Sequence, residues 1–157
     1  MSWAIQLFLH QLGIAVWLGA SLTFMIFGPD SRRQPLESWA RTWINLARVQ
    51  QVLVAPAAAV ATITGITLTM GLVKQDVDVG SAMWLIVMQS FGLVAGLLAI
   101  GIATPLANRM AGLARRSLEK GAIDPLAEKV RSRLALVGSI SGVCIVVALY
   151  FAVARPS

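Results

Sequence analysis

The sequence predicts an all-α fold: a polytopic membrane protein, a bundle of four transmembrane helices with both termini outside and two basic cytoplasmic loops. Three observations carry this. Hydrophobic residues make up 57% of the 157 and charged ones 13%, against about 25% charged residues in a soluble domain, and the mean hydropathy is +0.76. Apolar runs cover about residues 3–27, 50–73, 82–105 and 134–154, each near the ~20 residues a helix needs to cross roughly 30 Å of hydrocarbon. Lysine and arginine crowd the segments between runs one and two and between runs three and four. No short alternating segments of a β-barrel appear. Lipid offers no water to satisfy the backbone, so the runs must be helices. The length fits one domain, 1–157.

The first run lacks the basic n-region of a signal peptide and exceeds its usual apolar length, so it is expected to stay as the first span. Gly28, Pro29 and Pro35 are expected to break the helix after it. Pro35 then suits the start of a helix with Glu37 in its first turn. Leu36, Trp39, Trp43 and Leu46 fall on one side of that helix. Trp39 and Trp43, one turn apart, are expected to anchor it in the inner headgroup belt. Span two carries Ala57, Ala61 and Gly65 at four-residue spacing. Span three carries Gly92 and Gly96, and span four Gly138 and Gly142. Small residues on one face let helices approach closely in lipid, so these glycines argue for a tight bundle and offer a face to a neighbouring helix of the chain, a second copy or a partner membrane protein.

Span three is expected to continue as a helix through Thr104–Pro105 and to stop at Gly121. Asp124 as N-cap and Pro125 as first helical residue then restart the chain. The fourth helix would run about 30 residues, ~45 Å.

Arg32, Arg33, Arg41 and Arg48 lie in the first basic loop, and Arg109, Arg115, Arg116, Lys120, Lys129, Arg131 and Arg133 in the second. The middle loop has Lys74 with Asp76 and Asp78. The positive-inside rule places both basic loops in the cytoplasm, which makes the net charge of +6 a topology signal rather than a nucleic-acid footprint. Localisation in the inner (plasma) membrane follows. The one cysteine, Cys144, excludes an intrachain disulfide and a cysteine-based metal site.

His10 is the only histidine and lies inside span one. On a helix, Gln6, His10, Gly13, Trp17 and Phe24 share a face. That face should point into the bundle, because lipid leaves an imidazole without partners. Counting from the same side, Gln89 of span three reaches the level of His10, with Thr64 and Thr67 of span two and Met70 higher, Met88 of span three, and Val146 and Tyr150 of span four with Cys144 deeper. A polar pocket in the outer leaflet is therefore expected. An imidazole there can ligate haem iron, ligate copper or another soft metal, carry a proton, or serve packing alone. Met70, Met83 and Met88 could assist a copper(I) site, though methionine commonly fills gaps. No carboxylate lies inside a span, and no Ser/His/Asp set, Walker loop or HExxH occurs. Arg48 could snorkel to a lipid phosphate or meet an anionic ligand.

The stretches "HQLGIAVWLG", "RVQQVLVAPAAAVATITG" and "MWLIVMQSFGLVAGLLAIGIATPLANRM" together resemble the membrane domain of copper-resistance protein D-like proteins and HemJ-type protoporphyrinogen oxidases. The resemblance covers spans one to three, about 100 residues. It implies haem b as first cofactor and copper as second. His10 would be the axial or metal ligand, Trp17 and Gln89 would line the pocket, and Arg48 would touch only a ligand reaching far inward. The HemJ-type enzymes tie a third-span lysine to activity. Here Gln89 stands at that place, five residues after Trp84, and a neutral amide cannot do a lysine's proton or anion chemistry. The reading is thus a binding protein for haem or a metal, with oxidoreductase activity left open. Its alternative is a non-catalytic membrane scaffold or complex subunit. A small transporter has less support, since no Gly/Pro break lies at mid-span.

Overall fold

A computed structural model describes residues 2–74 and 82–154; the aspartates of the middle loop lie outside the described residues. Every regular element among those residues is helical. Four helices are long and apolar enough to cross a membrane: α1 (Trp3–Arg33), α2 (Leu36–Val73), α3 (Met83–Lys120) and α4 (Pro125–Ala154).

The expected break at Gly28–Pro29 does not occur. Helix α1 runs through both residues and tightens into a 3-10 turn at Ser31–Arg33. Pro29 has no N–H to give the carbonyl four residues back, and the helix carries that one loss for a single further turn. Buried Ser31 closes the turn by donating from Oγ to Gly28 O at 2.7 Å. The chain turns at Gln34, whose backbone is extended before Pro35.

The other helix signals hold. Gly121 ends α3 with φ 69°, a left-handed cap that glycine adopts without strain. Asp124 Oδ1 accepts from Leu126 N at 3.0 Å and caps α4.

Helices α2 and α3 each have 38 residues, about 57 Å at 1.5 Å per residue. Each changes character partway. Residues Leu36–Val49 and Thr104–Lys120 are amphipathic, whereas Ala55–Val73 and Met83–Leu97 are apolar on all sides. The change falls at a π-helical bulge in each, Gln50–Val54 and Leu98–Ala103. Each bulge ends two residues before a proline, Pro56 or Pro105. Proline has no N–H and crowds the carbonyl four residues back, so the helix there must widen or kink.

The two bulges face each other. Gln50 is 3% exposed, and its Nε2 donates to Ala99 O at 3.0 Å and to Thr104 Oγ1 at 3.1 Å. Thr104 Oγ1 donates to Ala99 O at 2.9 Å. The carbonyl loosened by the bulge in α3 thus receives two donors, one from each helix.

Below the bulges, at the basic end, α2 and α3 pack closely and the start of α4 joins them. Trp39, Trp43, Leu46, Met110, Leu113, Ala114, Ala127 and Val130 form a closed core there. This corrects the expectation for the tryptophans. Trp39 is 5% exposed and Trp43 3%, so they are interior residues rather than headgroup anchors. Their apolar stripe finds a protein partner in the amphipathic part of α3, and burying each large side chain stabilises by about 1.5–3 kcal/mol. Above the bulges α2 and α3 meet at fewer places, Thr62 on Gly96 and Gln89 at Thr69. There α1 lies along α2 and α4 along α3. The α1–α2 approach rests on Gly13: a Cβ on it would lie 3.0 Å from both Ala57 O and Ala61 N. The small residues of span two therefore serve packing within the chain.

Candidate functional site

On this side of the bulges a cavity of about 780 Å³ lies between all four helices. This is the size of a site for a small ligand or cofactor. His10, Gln11, Ile14 and Trp17 come from α1, with Trp3 near the mouth. Thr62, Gly65 and Thr69 line it from α2, Trp84, Met88, Gln89 and Gly92 from α3, and Ile145 and Leu149 from α4.

The predicted face of α1 does point inward: Gly13 and Trp17 are buried, and Gln6, His10 and Phe24 are half-buried. The His10 ring lies on Gly65, where an added Cβ would stand 3.0 Å from Cε1. Its Nδ1 is 2.8 Å from Ala61 O and 3.3 Å from Thr64 Oγ1. A carbonyl can only accept. Thr64 Oγ1 donates to Val60 O at 2.6 Å, so toward His10 it accepts as well. The proton of a neutral ring therefore belongs on Nδ1, and Nε2 keeps its lone pair. This is the arrangement that orients a histidine as an Nε2 ligand.

Gln89 shares the cavity with His10, as depth along the spans predicts. Its Nε2 donates to Thr69 Oγ1, which donates onward to Gly65 O at 3.1 Å. The relay joins α3 to α2 one turn outward of Gly65. Deeper in, Thr62 Oγ1 is buried without a hydrogen-bond partner and packs on Gly96, whose added Cβ would come within 2.5 Å of it. That contact closes the floor.

Other predicted residues fall elsewhere. Arg48 is exposed at the basic end of α2 and does not line the cavity. Met70 and Met88 line it, whereas Met83 does not and is 65% exposed; Val146 and Tyr150 also face away from it, and Ile145 and Leu149 supply the α4 side instead. Thr67 is exposed and donates to Thr64 O. Among the described residues no three His, Cys, Asp or Glu side chains gather as a metal cluster, so a metal here would take one nitrogen ligand, His10. Of the four glycines read as a partner surface, Gly96 meets Thr62 of the same chain and Gly92 opens into the cavity. Gly138 and Gly142 have open space around them. Ala61 O and the hydroxyls of Thr62 and Thr69 were not singled out from sequence. Thr62 and Thr69 fall seven residues apart on one face of α2, which is the one trace they leave.

Comparison of the chain with protein-family models, with curated proteins and with solved structures gives no match.

Proposed function

We propose that this is a multi-pass membrane protein that binds a cofactor in the cavity between its helices, the flat, largely apolar haem b as first choice and a copper ion as second, with His10 the ligand. The observation that carries the reading is the hydrogen bonding of Nδ1 to Ala61 O and Thr64 Oγ1, which leaves Nε2 as a lone-pair donor in a cavity of about 780 Å³. The residues fit haem: one imidazole, apolar walls from four helices, and Trp17 at the inner end. A bound haem supplies one-electron chemistry at its iron. The chain's own part is to hold it, orient His10 and exclude water. The resemblance to copper-resistance protein D-like and HemJ-type proteins supports the same cofactor. The oxidase activity is not part of the proposal, because Gln89 occupies the place of the lysine. The positive-inside rule puts the basic end in the cytoplasm of an inner-membrane protein; labelling a cysteine introduced at Lys129, from one side at a time, checks this.

The test is an optical spectrum of the detergent-purified protein, oxidised and dithionite-reduced, from cells supplied with haem precursor. A Soret band that shifts on reduction, vanishes in His10→Ala and returns with imidazole in His10→Gly is the expected result. A colourless protein at full haem supply overturns haem and sends the question to metal analysis.

A further inference from the structure

Two contacts across the seam of α2 and α3 bracket the level of His10. On the deep side, Thr62 packs on Gly96. On the outer side, Thr69 accepts from Gln89. The helices run antiparallel, and both pairs of contacts are seven residues apart, about 10 Å along each axis. Between them α2 presents Gly65 and Ile66, and α3 presents Gly92 and Leu93.

These two glycines have opposite surroundings. Gly65 is covered by the His10 ring. Gly92 lines the cavity, and an added Cβ there would meet nothing within 4 Å. At the level of His10 the α3 side of the wall is therefore bare backbone at Gly92, beside the Leu93 side chain. Glycine in the middle of a helix costs about 0.5–1 kcal/mol relative to alanine, and no neighbour in this chain requires its small size. Neither Gly92 nor Leu93 carries an atom that ligates a metal. Gln89 gives its Nε2 to Thr69, which holds the side chain outward of Gly92, and Met88 stands a turn further out.

We propose that Gly92 is a specificity-determining residue of this site: it forms the wall opposite His10, admits the face of a flat ring, and leaves the far side of that ring without a ligand from this chain and open to a diatomic molecule. The inference rests on the haem reading above and adds the coordination number and the class of second ligand. Distal access of this kind decides whether a haem binds small ligands or only passes electrons.

The experiment uses the full-length protein loaded with haem b in detergent, with carbon monoxide as probe, in the wild type and in Gly92→Ala, Gly92→Leu and Met88→Ala. The wild type should give a five-coordinate, high-spin ferrous spectrum that shifts sharply with carbon monoxide. Gly92→Leu should keep the helical circular dichroism and the unfolding midpoint of the apoprotein, because its side chain enters open space. Its affinity for haem or for carbon monoxide should fall by about tenfold or more, the effect of overpacking a site. Gly92→Ala should lie between the two and guards against misfolding of the leucine variant. A six-coordinate, low-spin ferrous spectrum that ignores carbon monoxide overturns the inference while leaving the haem reading intact. Conversion of such a spectrum to high spin in Met88→Ala would name the sixth ligand. Unchanged binding in Gly92→Leu also overturns it. Absence of any Soret band in the wild type removes the haem reading itself.

Discussion

The two ends of the bundle use the same helices to opposite effect. At the basic end, α2 and α3 carry charge outward and apolar residues inward. Their core around Trp39, Trp43 and Met110 is closed. Beyond the bulges, large apolar side chains such as Ile63, Leu97 and Val143 point outward, and the interior is partly hollow. Toward water, the hydrophobic effect gathers apolar residues on one stripe. Toward lipid it gives no such instruction, and helices associate through close packing and hydrogen bonds. Inside and outside are then separated by size and polarity instead: Gly13, Ala57, Ala61, Gly65, His10 and Gln89 face inward. The closed end supports the fold, and the hollow end has room for a ligand.

Substitutions can break this contrast. Trp43→Ala should have the largest effect, a loss of about 3–5 kcal/mol as for other large-to-small core changes. It is read as a lower midpoint in thermal unfolding of the detergent-solubilised protein. A loss below about 1 kcal/mol would mean that the basic end is not the cooperative core. Gln50→Leu should cost less, about 1–3 kcal/mol, because Ala99 O loses one of its two donors and Thr104 Oγ1 loses a partner in a buried place. The same assay checks it. Thr62→Val should act in the other direction and raise stability by about 1 kcal/mol, since it removes a buried hydroxyl that has no partner. Loss of stability in Thr62→Val would show that the hydroxyl is bonded, and the floor of the cavity would need a different account.

The contrast also explains what the sequence could reveal. Helix ends were legible where local chemistry makes them: Gly121, Asp124 and Pro125 act through their own backbone and side chains. The four spans were legible from bulk hydropathy. The apolar stripe of Trp39 and Trp43 was legible too, but its partner was not. A stripe states that something apolar covers it, and lipid and α3 are equally apolar. His10 and Gln89 could be brought into one cavity because rise per residue is fixed, although Gln89 bonds one turn outward of the His10 level. The acceptors on His10 Nδ1 could not be read, because Ala61 O is a backbone group that every residue possesses. The Gly28–Pro29 break failed because the helix carries the loss of one hydrogen bond at Pro29 when only the Ser31–Arg33 turn follows it.

One feature sets how wide the cavity can be. Helices α2 and α3 touch at Gln50 and Ala99, with arms of unequal reach on either side. On α2 the arm toward the cavity spans residues 50–73, about 35 Å, and the arm toward the basic end spans 36–50, about 21 Å. Along the longer arm the same two helices are held again, Thr62 on Gly96 and Gln89 at Thr69, so they are pinned at three levels and cannot hinge about one. The far ends are filled with close-packed tryptophan, methionine and alanine. The spacing of α2 and α3 is therefore fixed along the cavity, and any widening must come from α1 and α4.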